Sequence, residues 1–292
     1  MSTLRPEADL DSMVVGLLDT IRGVGPLVVA FSGGVDSSLL AVAAVRALGP
    51  DRVLAVTADS PSLASGELDT CRRLADDWGV PWRSVRTDEL HDDRYVANAG
   101  DRCYWCKSAL MDELEPLAAA RYATVALGVN VDDLGDHRPG QEAAGARGAR
   151  FPLVEAGLTK TDIRALARRW GLSVWDRPAM PCLSSRLPYG TAVTVPLLGR
   201  VDRAEAALRG LGFDDVRVRH YDDTARIEVP PADLGRAVAS AAGITAAVRA
   251  CGYRYVTLDL DGLRSGNLNQ ALADKAPADP VPSGGPIPQP AT

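Results

Sequence analysis

The sequence predicts an α/β protein in which a doubly wound parallel sheet is followed by a smaller α+β domain. Two observations support this fold class. Apolar runs alternate with amphipathic stretches through the first two-thirds of the chain, and this alternation is typical of parallel sheets covered by helices on both faces. After the turn Pro188-Tyr189-Gly190 the pattern changes to a helix, a hairpin, a second helix and a last strand.

The first part of the chain is predicted to contain four strands and four main helices. Strands are predicted at 26–31, 52–57, 82–86 and 124–129, and the first, second and fourth of them are apolar runs. Amphipathic stretches predict helices at 37–48, 65–78, 103–120 and 160–170. Thr159 or Thr161 is expected to cap the last helix, because a threonine hydroxyl accepts a hydrogen bond from a free backbone N–H. Ligands of such sheets bind at the edge formed by the carboxyl ends of the strands.

The second part is predicted to be a separate domain that begins near residue 187. Its elements are predicted at 196–211 (helix), 216–221 and 225–229 (hairpin), 232–242 (helix) and 253–260 (strand). We therefore expect domains at 1–187 and 188–272. The segment 273–292 is rich in Pro, Gly and Ala and carries too little apolar surface to fold, so we expect it to be disordered.

Charge and composition argue against several functional classes. The 292 residues carry a formal net charge of -6, so a broad basic surface for nucleic acid or membrane lipids is not expected. The sequence shows neither a signal-peptide pattern nor an apolar run of about 20 residues, and we expect a cytoplasmic protein without membrane contact. The five cysteines, two of them spaced as C-x-x-C, indicate metal or redox chemistry in a reducing compartment.

The strongest motif is the run SGGVDS, residues 32–37, which follows the first predicted strand and opens the first helix. Two adjacent glycines let the backbone N–H groups approach an anion, and the helix N-terminus adds a partial positive charge. The hydroxyls of Ser32 and Ser37 can donate to phosphate oxygens, and Asp36 could orient the loop or bind magnesium. The sequence contains neither G-x-x-x-x-G-K-[ST] nor G-x-G-x-x-G, which argues against P-loop NTPases and dinucleotide enzymes.

This run resembles the PP-loop signature of the ATP pyrophosphatases. The resemblance implies that ATP is cleaved between its α and β phosphates, that AMP is transferred to a substrate oxygen, and that five residues of the loop hold the pyrophosphate. Those residues are Ser32, Gly33, Gly34, Asp36 and Ser37. Asp59 and Gly128 lie where two other predicted strands end, at the same sheet edge, and are expected in the ATP site. Asp132 and Asp133 are candidate Mg²⁺ ligands, because that ion prefers carboxylate and phosphate oxygens; the alternative is a solvated loop.

Three cysteines are expected to meet at the same sheet edge. Cys103 and Cys106 lie three residues apart at the start of a predicted helix, and Cys182 follows much later in the chain. Three thiolates at one point could hold a [4Fe–4S] cluster with one open iron, or a zinc ion with a free position. The alternative is that they are small buried side chains, which is the role we expect for Cys71 and Cys251.

Further motifs closely resemble the LarE family, sulfurtransferases that act on pyridinium-3,5-biscarboxylic acid mononucleotide in nickel-pincer cofactor synthesis. The resemblance covers residues 26–270, and its motifs are DRCYWCK (101–107), DHRPG (136–140), PCLSSRLPYG (181–190), VRVRHYDDTARIE (216–228) and GYRYVTLDLDGLRSG (252–266). One type in this family sacrifices the sulfur of a single cysteine, at the place of Cys182. The other type holds a [4Fe–4S] cluster with three cysteines, and this sequence looks like the cluster type.

The resemblance implies that ATP binds with Mg²⁺, that a substrate carboxylate is adenylated, and that sulfur then displaces AMP to give a thiocarboxylate. Lys107 is expected near the phosphates, and Arg186 is a candidate for a substrate carboxylate or phosphate. The resemblance also places four residues near the substrate phosphate or a subunit interface: Arg217, Arg219, Arg226 and Glu228. From their strand pattern, the first two should be exposed. A homo-oligomer and an unidentified sulfur donor are implied as well.

Three other functions are weighed against this one. A tRNA-thiolating PP-loop enzyme should carry a basic surface, which the negative net charge argues against. An amide-forming ligase of the NAD or GMP synthetase kind would not need Cys103, Cys106 and Cys182. A nucleotide sensor without catalysis would not need candidate metal ligands beside a complete phosphate loop.

Overall fold

The computed structural model describes residues 7–135 and 139–264. The helices of the first part are α1 (Glu7–Val24), α2 (Val35–Leu48), α3 (Glu67–Asp77), α4 (Asp93–Val96), α5 (Arg102–Ala120), α6 (Pro139–Ala146), α7 (Pro152–Glu155) and α8 (Lys160–Arg169). Its strands are β1 (Leu27–Ala30), β2 (Val53–Asp59), β3 (Trp82–Arg86) and β4 (Thr124–Leu127). The second part contains α9 (Val195–Gly210), β5 (Arg217–Tyr221), β6 (Thr224–Glu228), α10 (Leu234–Ala239), α11 (Ala241–Ala250) and β7 (Tyr255–Leu258).

The first sheet is parallel and has the strand order β3-β2-β1-β4. Successive side chains of the central strand β1 enter different cores, as the pleat of a strand requires. Leu27 and Val29 pack with residues of α1, α2 and α8, whereas Val28 packs with Met111 and Leu114 of α5. Helices therefore cover both faces of the sheet, and the predicted doubly wound α/β fold is confirmed.

The second sheet is smaller and has the strand order β5-β6-β7. Strands β5 and β6 form the predicted antiparallel hairpin, and β7 pairs with β6 in parallel. Its core contains Leu208 of α9 and Val248 of α11, together with Val218 and Ile227 of the hairpin. This arrangement is the expected smaller α+β unit.

The connection between the two parts is buried. Tyr95, Leu187, Val193 and Leu198 belong to one apolar cluster that contains residues from both sides of the predicted boundary. A boundary near residue 187 therefore falls inside a packed junction, and the domain limits stay a prediction. The tail at 273–292 lies outside the described residues, as do residues 136–138 of the DHRPG motif and residues 265–266 of the last motif.

Two predictions of elements differ from the structure. The single helix predicted at 232–242 is in fact two helices, α10 and α11, separated at Ser240. Helix α11 is buried mainly through Ile244 and Val248, a pair with helical spacing among small residues that gives a weak pattern. The prediction also omits the short helices α4, α6 and α7 and the long helix α1, which packs against α2 through Leu17 and Ile21. No helix in the described part of the chain has both the length and the apolar character needed to cross a bilayer.

Candidate nucleotide and thiol site

The phosphate loop connects the buried end of β1 to the first turn of α2. The backbone N–H of Ser32 donates to Ser37 Oγ at 3.2 Å, and Ser37 Oγ donates to the Gly34 carbonyl at 3.1 Å. Gly33 has φ of +70°, a left-handed conformation that glycine adopts without strain. A Cβ at Gly33 would lie 3.0 Å from the sulfur of Cys71. Hydrogen bonds within the loop therefore fix its conformation at the N-terminus of α2.

Gly128 places the end of β4 directly against this loop. A Cβ at this position would lie 2.7 Å from the backbone nitrogen of Ser37 and 2.9 Å from the carbonyl carbon of Asp36. Backbone atoms cannot move aside as the end of a side chain can, so only glycine fits here. The predicted place of Gly128 beside the phosphate loop agrees with this contact.

Asp36 forms an ion pair that the sequence analysis missed. Its Oδ2 accepts a hydrogen bond from Lys160 Nζ at 2.5 Å, while Oδ1 is buried and has no hydrogen-bond partner among the described residues. Burial raises the pKa of Asp36, the contact with Lys160 opposes this rise, and the charge of Asp133 adds to it. An unpartnered, buried carboxylate oxygen next to a phosphate loop is suited to a hard cation such as Mg²⁺.

Lys160 is held at this position by the start of α8. Thr159 and Asp162 form a reciprocal capping box, which fixes Lys160 as the first residue of the helix. The prediction that Thr159 or Thr161 caps this helix is therefore settled in favour of Thr159. A lysine in the first turn of a helix opposes the helix dipole. That unfavourable placement is the sequence signal that could have identified Lys160.

The other candidate acids, Asp132, Asp133 and Asp59, differ from Asp36 in their contacts. Asp132 Oδ2 accepts from the Lys160 backbone N–H at 2.8 Å, and Asp133 Oδ2 accepts from the Asn130 N–H at 3.1 Å. Asp59 ends β2 at the sheet edge and is half-buried. Within residues 7–135 and 139–264 no three His, Cys, Asp or Glu side chains are arranged to hold a metal ion. Magnesium ligation by Asp132 and Asp133 stays a prediction.

The structure brings the three cysteines of the sequence prediction into one neighbourhood. Cys103 is exposed, and Cys106 and Cys182 are half-buried. Burial raises the pKa of Cys106 to about 12, and the next cause is the negative charge of Cys182; Cys103 adds a smaller rise and Lys107 a lowering. Lys107 therefore lies beside the thiols, and its predicted contact with phosphate stays a prediction.

The turn that carries Cys182 is fixed by hydrogen bonds to the first part of the chain. The N–H of Leu183 donates to the Ser62 carbonyl at 2.8 Å, and the Ser184 hydroxyl lies 2.7 Å from the Tyr95 hydroxyl. Arg102, next to Cys103, donates to the Ser184 carbonyl at 2.8 Å. These bonds connect the Cys182 turn to the helix that bears Cys103 and Cys106.

Glu89 is a second residue that the sequence analysis missed. Its side chain is buried, Oε1 accepts hydrogen bonds from Ser60 and Ser62, and Oε2 has no hydrogen-bond partner among the described residues. Its charge also raises the pKa of Cys106. Because Ser62 supports the Cys182 turn, Glu89 fixes this turn indirectly while adding negative charge near the thiols. No motif marks it, since its partners are distant in sequence.

Arg186 is buried and its guanidinium contacts protein groups. Nε and Nη2 donate to the two carboxylate oxygens of Glu205 at 2.8 and 3.1 Å, and Nη1 donates to the Pro181 carbonyl at 2.6 Å. In this structure Arg186 therefore holds the Cys182 turn against α9. A contact with substrate stays a prediction.

The charged residues of the hairpin are also largely internal. Arg219 pairs with both carboxylate oxygens of Glu228 at 3.0 and 2.9 Å, and Arg226 donates to the same carboxylate at 3.3 Å. The expected exposure of Arg217 and Arg219 is wrong, since they are 7% and 3% exposed. The physical reason is that buried carboxylates and carbonyls on neighbouring elements offset their charge and satisfy their N–H groups, which a strand pattern does not reveal.

Arg217 differs from the other arginines of the hairpin. It donates to the carbonyls of Arg264 and Ala179 at 3.3 Å, and its pKa is lowered by burial and then by the charges of Arg186 and Arg219. It also borders a cavity of about 150 Å³ that is lined by Met180 and Arg186 among others. A contact with the substrate phosphate or a subunit interface stays a prediction for all four residues of the hairpin: Arg217, Arg219, Arg226 and Glu228.

Some known proteins match only part of this chain, and others match nearly all of it. Residues 14–93 match the NAD synthase family model. An NH3-dependent NAD+ synthetase of Methanosarcina mazei is 38% identical over 84 residues, 26% of this chain and 33% of the relative. An uncharacterised Synechocystis protein is 45% identical over 266 residues, 90% of this chain and 99% of the relative.

A further relative is the pyridinium-3,5-bisthiocarboxylic acid mononucleotide synthase of Lactiplantibacillus plantarum. It is 39% identical over 266 residues, which cover 91% of this chain and 96% of that protein. The NAD synthase model matches residues 14–93, which include the phosphate loop, whereas the match to the mononucleotide synthase also includes the thiols and the second sheet. The chain belongs to the family of this synthase, the LarE family of PP-loop enzymes.

Proposed function

We propose that this protein is an ATP-dependent sulfurtransferase that converts the carboxylates of pyridinium-3,5-biscarboxylic acid mononucleotide into thiocarboxylates for nickel-pincer cofactor synthesis. One observation supports this most strongly. The segment that carries Cys182 contacts the phosphate loop at one end, through Arg177, and the Cys103–Cys106 helix at the other. An adenylating site and a group of thiols are therefore parts of one continuous structure.

In the first half-reaction a substrate carboxylate oxygen attacks the α-phosphorus of ATP, and the bond to the β-phosphate oxygen breaks to release pyrophosphate. We expect the backbone N–H groups of the loop, together with Lys160 beside Asp36, to stabilise the charge that develops on the leaving group, which is usually the largest single contribution to catalysis. Asp36, through its unpartnered Oδ1, would hold Mg²⁺, which neutralises phosphate charge.

In the second half-reaction a sulfur nucleophile attacks the acyl carbon, and the carbon–oxygen bond breaks so that AMP leaves with the electron pair. The product is a thiocarboxylate, and repetition on the other carboxylate gives the dithio compound. The turn that carries Cys182 is anchored by Leu183, Ser184 and Arg186. The role of Cys182 is to hold or supply the sulfur at the adenylate.

We infer that Cys103, Cys106 and Cys182 hold a metal centre, a [4Fe–4S] cluster in preference to zinc. The three thiols share one neighbourhood, since burial and then the charge of Cys182 raise the pKa of Cys106, although the described side chains are not arranged at metal-binding positions. Metal binding deprotonates thiols and would draw the three sulfurs together. A bound cluster supplies an iron with an open coordination position at which sulfur can be carried. Iron and sulfide analysis of anaerobically purified protein tests this inference, and zinc or no metal would contradict it.

The reaction is tested by measuring AMP and pyrophosphate release with different acceptors. We expect release that depends on the pyridinium dicarboxylate mononucleotide and a thiocarboxylate product in the mass spectrum. Ammonia and tRNA serve as acceptors of the two alternative enzyme classes. Release that depends on either of them instead would overturn the proposal.

The remaining proposals concern partners and location. The substrate is a small nucleotide, and no nucleic-acid or membrane partner is proposed. We expect a homo-oligomer in the cytoplasm and a separate protein or small molecule that supplies sulfur.

A further inference from the structure

Arg177 contacts the phosphate loop from outside the motif. Its Nη1 donates to the Gly33 carbonyl at 3.3 Å, and its Nη2 donates to both carboxylate oxygens of Glu67 at 2.8 and 3.0 Å. Glu67 is the first residue of α3, and the side chains of both partners are largely buried, 21% exposed for Arg177 and 15% for Glu67. The guanidinium is therefore fixed between the loop and a helix.

The backbone at Arg177 is also fixed. Arg164 of α8 donates to the carbonyls of Trp175 and Arg177 at 2.9 and 3.1 Å. The Arg177 N–H donates to the Val174 carbonyl at 3.1 Å, and Arg168 lies over the Trp175 ring at 5.0 Å. Both the backbone and the side chain of Arg177 are thus attached to elements that surround the phosphate loop.

Between Arg177 and Cys182 the backbone carbonyls of Ala179 and Pro181 accept hydrogen bonds from Arg217 and Arg186, which lie on the side away from the phosphate loop in sequence. Residues 178–181 are exposed, and Cys182 follows five residues after Arg177. Five residues span at most about 18 Å, so the position of Arg177 limits how far Cys182 can lie from the phosphate loop. The Cys182 turn then bonds to Ser62 and Arg102. Among the hydrogen bonds of the described residues, that of Arg177 to Gly33 is consequently the last one before Cys182 that joins this segment to the phosphate loop.

On the basis of the proposed function, we propose that Arg177 is a positioning residue that ties the Cys182 segment to the phosphate loop. Through the Gly33 and Glu67 contacts it keeps the sulfur beside the place where the adenylate forms. Its effect is on the second half-reaction, because the adenylate is hydrolysed by water when the sulfur is displaced. Arginine suits this task, since its planar guanidinium binds a carboxylate with two parallel bonds and still has an N–H for the carbonyl.

The tether itself is tested without substrate, by the rate at which iodoacetamide alkylates Cys182 in the metal-free protein. Peptide mass spectrometry follows Cys182, and the half-buried Cys251, far from Arg177 in sequence, is the internal standard. We expect the alkylation rate of Cys182, divided by that of Cys251, to change at least five-fold in Arg177→Gln. The change should be smaller in Arg177→Lys. The Arg169→Gln variant loses only a surface pair with Asp11 and is the matched control. An unchanged ratio in a folded Arg177→Gln protein would overturn the inference.

The catalytic consequence is measured as the number of thiocarboxylates formed per pyrophosphate released. We expect Arg177→Gln to lower this ratio at least ten-fold while the rate of pyrophosphate release stays within three-fold of the wild type, with Arg177→Lys intermediate. A fall in the rate of pyrophosphate release with an unchanged ratio would show that Arg177 serves ATP binding, and would contradict a positioning role. If the wild type itself releases no pyrophosphate with the pyridinium substrate, the proposed function is wrong. The alkylation rates still test whether Arg177 fixes the position of Cys182.

Discussion

At the scale of single residues, the site depends on a few close contacts that involve backbone atoms or buried charges. Gly128 is close to the backbone of the phosphate loop, and Asp36 has one carboxylate oxygen paired with Lys160 and the other without a partner. Such contacts are costly to change because neither backbone atoms nor buried charges can be relocated easily. They are also the contacts that make specific predictions possible.

Lys160 is predicted to bind ATP through charge. Lys160→Ala removes the cation beside Asp36, so the negative charge at the loop increases and Mg·ATP should bind at least ten-fold more weakly. Lys160→Arg keeps the cation and should stay within about three-fold of the wild type. Isothermal titration calorimetry measures both constants. Equal affinity of the alanine variant and the wild type would show that Lys160 does not face the nucleotide.

Gly128→Ala is predicted to destabilise the protein by about 1–3 kcal/mol, the usual cost of overpacking, because the new methyl group would meet backbone atoms of Asp36 and Ser37. Gly16→Ala is the control, since nothing lies within 4 Å of its added Cβ in helix α1. That control should be neutral or stabilise by about 0.5–1 kcal/mol. Urea unfolding measures both changes, and a stable Gly128→Ala protein would contradict the close approach.

At the scale of elements, buried ion pairs join the Cys182 turn to the second sheet. Glu205 of α9 pairs with Arg186 and Arg209, and it also accepts the N–H of Val218 in β5. Arg219 of β5 donates to the Ser185 carbonyl at 2.6 Å. The second part of the chain therefore fixes the orientation of the turn that carries the thiol.

Breaking the Arg186–Glu205 pair from one side should be costly. Glu205→Leu leaves the buried guanidinium of Arg186 without its counterion and should destabilise the protein by about 3–5 kcal/mol. Arg186→Met should cost less, because Glu205 keeps Arg209 and the Val218 N–H. The double variant should recover part of the loss measured for Glu205→Leu alone. Strictly additive losses in urea unfolding would indicate that the pair is not coupled.

The buried His220 predicts a pH dependence of stability in the second part. Burial lowers its pKa below the ordinary value of 6.5, and the charge of Arg200 lowers it further. Below about pH 6.5 the imidazole of His220 therefore binds a proton more readily in the unfolded chain than in the folded one. The free energy of unfolding consequently falls as the pH decreases. His220→Gln should reduce the loss of stability between pH 7.5 and pH 5. The exposed His91→Gln is the control and should keep the wild-type loss; identical losses in all three proteins would refute the prediction.

At the scale of the whole molecule, the parts that follow local rules were predictable. The buried strands of the first sheet are apolar runs, and the phosphate loop is a compact motif between a strand and a helix. The strands and the loop need no information beyond short stretches of sequence. The neighbourhood of Cys103, Cys106 and Cys182 was expected at the sheet edge, but it depends on long-range hydrogen bonds of the Cys182 turn to Ser62 and Arg102.

The supporting contacts could not be predicted in the same way. Lys160 meets Asp36 across 124 positions, and Arg177 meets Glu67 across 110. Such pairs have no periodic signature, and each residue alone has the pattern of a surface charge. The burial of Arg217 and Arg219 was missed for the same reason, since their carboxylate and carbonyl partners lie on other elements.

The central claim is that the phosphate loop and Cys182 perform two successive halves of one reaction. The most direct test is Cys182→Ser, assayed anaerobically with MgATP and the pyridinium dicarboxylate mononucleotide. We expect substrate-dependent pyrophosphate release at a rate within about ten-fold of the wild type and no thiocarboxylate in the mass spectrum. A variant that still forms thiocarboxylate at the wild-type yield would contradict the account.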